Sequence, residues 1–171
     1  MNEYLERVFK LELRRQSGFA ATALEDLNQA LATNDMTRIW YSVQALLISV
    51  GNISKVLWPP NSKYEGRGAA LRASLGVREQ SPLAPRSFRN HFEHFDERLE
   101  AWAASSERHN LADSNVGPEG MISGLDPGDF LRNLDAEAME VTFRGDRYSL
   151  KPIVEALSSL QIQLPEDGLA V

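Results

Sequence analysis

The sequence predicts a mainly α-helical chain: a bundle of four to five helices, followed by a small C-terminal β-hairpin or meander and a helix. Three observations carry this expectation. Two segments of the first half repeat apolar residues at helical spacing. A later stripe, Phe88, Phe92, Phe95, Leu99 and Trp102, alternates steps of four and three, as a helix buried along one seam does. Beyond residue 107 the composition shifts to Asn, Asp, Gly and Pro, and short strand-like runs flank Gly145-Asp146. The expected division is a helical bundle over 1–106 and a small α+β elaboration over 107–171.

Residues 2–32 read as one long helix or two in tandem. Leu5, Phe9, Leu13, Ala20, Leu24, Leu27 and Leu31 stay in phase across Gly18. Thr33-Asn34-Asp35 supplies a break and an N-cap for the second helix. That helix places Met36, Trp40, Val43, Leu47, Val50 and Leu57 on one face, widened by Ile39, Leu46 and Ile53, until Pro59-Pro60 stops it. Gly66-Arg67-Gly68 is expected as a loop before a short helix around 69–75. The fourth major helix is expected to open near Pro85 and run to about Ser105. A loop then follows, with a short strand at Met121–Leu125 and another at Phe130–Leu134. Residues 140–144 and 147–150 form the hairpin around Gly145-Asp146. Lys151-Pro152 opens the last helix, which turns Ile153, Ala156, Leu157 and Leu160 inward.

At 171 residues, 43% hydrophobic and 25% charged, the chain suits a globular fold with a substantial core. With no cysteine, disulfides and thiolate metal sites are excluded. The first residues are acidic where a signal peptide would be basic and then apolar, and Ala45–Val50 is too short to span a bilayer. A cytoplasmic protein without a membrane contact is expected. Asn52-Ile53-Ser54 and Arg144-Gly145-Asp146 match a glycosylation sequon and an integrin-type tripeptide by coincidence.

The net charge of −6 argues against a nucleic-acid coat over the whole chain. Its distribution is uneven. Lys63, Arg67, Arg72, Arg78, Arg86 and Arg89 stand against only Glu65 and Glu79 in one window, while residues 110–171 carry eleven acids and four bases. The basic window runs into Arg89-Asn90-His91-Phe92-Glu93-His94, the stretch with the most chemistry in the chain. Arginine clamps phosphate, and histidine exchanges protons near neutral pH.

No Gly-rich phosphate loop, nucleophile elbow or His-Glu-x-x-His pattern occurs. His91 and His94 are three residues apart, but a metal would need further carboxylates, and neither a metal nor another cofactor is expected. On a continuous helix centred on Phe88, His94 lies roughly 120° and Asn90 roughly 160° from the core direction, one turn apart on one side. His91 and Arg98 lie on that side nearer the core, and Arg89 is about 140° from His94. The plain alternative is surface pairing of Arg89 with Glu93 or Asp96, and of His94 with Glu97.

A helical bundle whose later helix opens with Arg-Asn and has a histidine four residues after the Asn resembles the HEPN superfamily. The resemblance covers residues 1 to about 106 and rests on Arg89-Asn90-x-x-x-His94. It implies a metal-independent endoribonuclease acting as a homodimer, with the two motifs meeting across the interface. His94 would then be general base toward a ribose 2′-OH or acid toward the leaving 5′-oxygen, Arg89 would bind the scissile phosphate, and Asn90 would orient either. Cleavage would leave a 2′,3′-cyclic phosphate and a 5′-hydroxyl. His91, Arg86 and Arg78 are candidates for RNA contact. Asp96 stands where members controlled by tyrosine adenylylation carry their tyrosine, which implies that this control is absent. The region 107–171 lies outside the superfamily's common core. The competing expectation is a non-catalytic helical protein of this architecture that dimerises or binds a partner or nucleotide.

Overall fold

The computed structural model describes residues 2–107, 109–118 and 120–164, with the backbone alone at 88, 89 and 127. The chain is mostly helical, with a four-stranded sheet in its C-terminal region, as the composition shift predicts. Two compact units are present: Met1–Arg86 with Ile153–Val171, and Ser87–Pro152. The dividing point falls at the start of the fourth helix, ahead of the composition change at 107.

In the first unit, α1 (Glu3–Thr33) is one unbroken helix. The Asn2 side chain accepts the Leu5 amide at 2.8 Å, and Glu3 and Glu6 sit in the first turn, where the helix dipole favours carboxylates. Asn34 ends it in the left-handed region (φ 53°). Asp35 then caps α2 (Met36–Leu57), accepting the Arg38 amide at 3.1 Å. So short a connection makes the two helices neighbours. Small buried residues of α1 (Ser17, Ala20, Ala23, Ala30) permit close approach to α2, which buries Ile39, Trp40, Val43, Leu46, Leu47, Val50, Ile53 and Leu57. Met36, expected on that face, is exposed at the first position of the helix.

A 3₁₀ turn (Ser62–Tyr64) leads into α3 (Glu65–Ser74), so Gly66-Arg67-Gly68 is helical and not the expected loop. The reason is tertiary. A Cβ on Gly68 would lie 2.5 Å from Pro59 Cδ and 2.6 Å from the Leu57 carbonyl oxygen, so only glycine lets α3 pass this close. Arg67 stacks over Phe9 and Tyr64, at 4.6 and 5.5 Å from the ring centres. Arg72 is buried, donates to the Leu57 carbonyl at 2.5 Å, pairs with Glu79 and stacks on Trp58. Two of the six cations in the basic window are therefore structural. Leu71, Leu75 and Leu83 join Leu13, Leu46, Ile53 and Leu57 in one core, closed by Leu157, Leu160 and Leu164 from α6 (Lys151–Gln163) and the residue after it. Each such leucine contributes about 1.5–3 kcal/mol by burial.

The second unit holds α4 (Ser87–Glu93), α5 (Phe95–Ser105) and the sheet. The single helix expected from Pro85 to Ser105 is thus two, broken at His94, whose φ and ψ are −113° and 38°. Its stripe is broken too: Phe92 is buried, Leu99 and Trp102 are half-buried, and Phe95 is exposed. The strands β1 (Asn115–Val116), β2 (Arg132–Asp135), β3 (Glu140–Phe143) and β4 (Asp146–Ser149) lie in that order. β1 pairs parallel with β2, and β2, β3 and β4 form an antiparallel meander. Met121–Leu125 is bend and turn, not a strand. The hairpin closes one residue earlier than expected. Phe143 pairs with Asp146, leaving Arg144 (φ 48°) and Gly145 (φ 85°) as the turn, both left-handed as a type I′ turn requires.

Candidate functional site

Asn90 lies in the last turn of α4, and His94 is the residue between α4 and α5. The His94 amide donates to the Asn90 carbonyl at 3.0 Å, and the Arg98 amide to the His94 carbonyl at 3.2 Å. The helical bond pattern therefore runs through the break, and Asn90 and His94 stay one turn apart. Both are exposed, the His94 side chain by 53%. Its Nδ1 lies 3.3 Å from a carboxylate oxygen of Glu97, the surface pairing expected from the sequence. Donation from Nδ1–H to Glu97 would leave Nε2 as the nitrogen able to accept a proton. The Arg89 side chain lies outside the described residues, and the backbone places Arg89 within α4 beside Asn90.

His91 has a different fate. It is only 9% exposed and its ring stacks on Phe143 of β3, with centroids 4.8 Å apart. Nε2 is 2.9 Å from the Tyr148 hydroxyl and 3.4 Å from the Asp146 carboxylate, both on β4. Nδ1 is buried without a hydrogen-bond partner among the described residues. Burial, aided by the charge of Arg98, pushes the His91 pKa below the ordinary imidazole range, and Asp146 opposes this shift. Burial likewise raises the Tyr148 phenol. His91 is thus a neutral ring holding α4 to the hairpin, turned inward and not displayed beside His94.

No family model, curated protein or solved structure matches the chain. The candidate chemistry therefore stands on the residues themselves.

Arg78 and Arg86 belong to the first unit, while Arg89, Asn90 and His94 belong to the second. Arg78 is exposed at the rim of a cleft of about 330 Å³ floored by Leu75, Leu83 and Leu160, and Arg86 is half-buried. Among the described residues no cluster of three or more His, Asp or Glu side chains is arranged to hold a metal ion, and no helix is long and apolar enough to cross a membrane. Sequence reasoning missed Tyr148 and Asp146 as the partners of His91. Their only signal was the hairpin that carries them, and nothing local ties it to α4 across 57 residues.

Proposed function

We propose that the chain is a metal-independent endoribonuclease of the HEPN type, acting on single-stranded RNA as a homodimer with a composite site. The observation that carries this reading is the placement of His94: exposed, one turn from Asn90, at a helix break, with Glu97 beside Nδ1. His94 Nε2 takes the proton of a ribose 2′-OH, whose oxygen attacks the adjacent phosphorus. The 5′-oxygen leaves with a proton from the second protomer's histidine. The products are a 2′,3′-cyclic phosphate and a 5′-hydroxyl. Arg89 neutralises charge growing on the phosphate, and Asn90 orients it by hydrogen bonding. Arg78, Arg86 and His91 are the sequence candidates for RNA contact, and exposure favours Arg78 among them. A defence or toxin–antitoxin setting suits such an activity, and a cytoplasmic site suits its substrate.

The second reading, a non-catalytic HEPN-like protein that dimerises or binds a partner or nucleotide, draws support from the basic window. Arg72 is buried inside the fold and the half-buried Arg67 stacks on Phe9 and Tyr64, which leaves fewer cations for a phosphate backbone. Incubating the full chain with mixed single-stranded RNA in EDTA separates the two. Cleavage that survives EDTA and vanishes in both Arg89→Ala and His94→Ala supports the ribonuclease. Intact RNA under all conditions selects the second reading, and EDTA-sensitive cleavage refutes the mechanism above.

A further inference from the structure

Two arginines of the second unit carry charge that no carboxylate balances. Arg98 lies on α5 one turn beyond His94, half-buried and without an ion pair among the described residues. Its helix holds three acids, Asp96, Glu97 and Glu100, but none stands three or four residues away, the spacings at which helix side chains meet. Those positions are His94, Phe95, Ala101 and Trp102. Arg144, in the hairpin turn, is half-buried as well. Its guanidinium lies across α5, donating to the Arg98 carbonyl at 3.4 Å and to the Ser105 hydroxyl at 3.2 Å. Elsewhere in the chain the low-exposure arginines Arg72 and Arg132 each meet a carboxylate, Glu79 and Asp113. The carboxylates near Arg98 and Arg144 are engaged otherwise: Asp146 with His91, Glu97 with His94, and Asp129 with the Ser106 hydroxyl and the Asp126 amide.

The adjoining helix face is short of acceptors. His91, Arg98 and Trp102 fall within about 40° of one another at helical spacing. His91 Nδ1, Arg98 Nε and Trp102 Nε1 are buried without a hydrogen-bond partner among the described residues, and the arginine and tryptophan nitrogens can only donate. Both arginines also bear on the His91 ring, whose pKa their charges lower. A partly buried cation without a counterion is costly, and two near one ring repel each other. What the arrangement lacks is an anion.

We propose that Arg98 and Arg144 form a binding site for a phosphate dianion, either free or as the terminal group of a phosphomonoester. Two guanidinium forks from separate elements suit this ligand. Each fork matches a pair of phosphate oxygens, and together they balance a charge of about −1.5 to −2. A carboxylate or a backbone phosphodiester carries a single charge and leaves one arginine unanswered. Arg144 lies beyond residue 107, outside the bundle that the HEPN resemblance covers, and the cleavage mechanism uses neither arginine.

Titrating the isotope-labelled full chain with sodium phosphate, against sodium chloride at matched ionic strength, tests the site by NMR. The Nε–H signals of Arg98 and Arg144 should shift saturably, with a midpoint on the order of 1 mM. The His91 imidazole should then titrate at higher pH, because the anion cancels the two charges that depress it while Asp146 acts in both states alike. A purely structural arginine pair gives no such response. Arg98→Gln and Arg144→Gln should each weaken binding at least about tenfold, and Arg98→Lys should recover part of the loss. Arg147→Gln on β4 should change nothing. Cooperative thermal unfolding verifies each variant, and because the two arginines sit on separate elements, one misfolded variant leaves the other to decide.

An oligodeoxynucleotide with a 5′-phosphate and its 5′-hydroxyl twin separate the sources, since DNA has no 2′-OH to drive cleavage. Displacement of inorganic phosphate by the first alone assigns the site to a polynucleotide end, and displacement by neither assigns it to a small phosphate compound. Equal displacement by both overturns the proposal, because the site would then read backbone diesters. A shift that rises without saturation overturns it too, as does binding indifferent to Arg98→Gln and Arg144→Gln. The readout is binding throughout. A chain that binds phosphate but leaves RNA intact loses only the ribonuclease reading, and one that cleaves RNA without binding phosphate loses only this site.

Discussion

Lowering the pH from about 7.5 to about 5 should weaken the sheet-bearing unit, and His91 should be the cause. The ring is buried against Phe143, its Nε2 is engaged by Tyr148, and its buried Nδ1 has no partner among the described residues. Protonation would add a positive charge to a buried ring, both of whose nitrogens would then have to donate although Nδ1 has no acceptor among the described residues. Charged groups facing the ring are Asp146 on β4, Arg98 on α5 and Arg144 in the hairpin turn, so one neighbour favours the cation and two oppose it. The folded pKa therefore lies below the ordinary value of 6.5 that the unfolded chain shows. Between those two values the unfolded state binds the extra proton. Stability is then full above the unfolded pKa, falls as the pH drops below it, and levels off beneath the folded pKa. One such group gives a slope of at most about 1.4 kcal/mol per pH unit. Urea unfolding followed by circular dichroism at several pH values measures the slope, and amide exchange of β3 and β4 assigns it to this unit. His91→Phe keeps a ring on Phe143 but cannot titrate. It loses about 1 kcal/mol with the Tyr148 hydrogen bond and should flatten the acid limb. An acid limb as steep in His91→Phe as in wild type would refute the reasoning, as would a wild-type profile that is flat over this range.

Three further outcomes are expected from urea unfolding. Arg72→Ala should cost about 2–4 kcal/mol, because it strips the Leu57 carbonyl of a buried donor along with the Glu79 pair and the Trp58 stack, and Arg72→Lys should recover only part. Gly68→Ala should destabilise by about 1–3 kcal/mol through overlap with Pro59 and Leu57, whereas Gly66→Ala, with open space around its Cβ, should gain up to about 1 kcal/mol. Gly145→Ala, forced to keep φ near 85°, should cost about 1 kcal/mol and speed amide exchange in the hairpin.

The elements legible in the sequence are those fixed by local pattern. Leu13, Leu27, Val43, Leu47 and Val50 recur at helical spacing, and Asn34-Asp35 combines a left-handed stop with a cap, so α1, α2 and their connection follow from neighbours alone. The hairpin was visible through Gly145, but its register was not. Gly145-Asp146 and Arg144-Gly145 are both plausible turn pairs, and the pairing of Phe143 with Asp146 selects the second. The helical Gly66 and Gly68 depend on Pro59, which periodicity does not see. In the candidate site, the shared side of Asn90 and His94 was readable because it spans one turn. The inward turn of His91 was readable only as a position near the core boundary. Its partners arrive from a strand far along the chain, and the break at His94 leaves the apolar spacing unchanged.

The division of the chain also constrains its synthesis. The first unit leaves off at Arg86 and resumes at Ile153, so the Ser87–Pro152 segment emerges whole before the last wall of the first core is made. Until Leu157, Leu160 and Leu164 arrive, Leu13, Ile53 and Leu71 lack the surface that closes over them. Folding that proceeds during translation therefore completes the inserted unit first, although its codons come later than those of α1 and α2. The longest helices of the protein spend that interval waiting, and it is then, more than in the finished fold, that their apolar faces are open to the wrong neighbour.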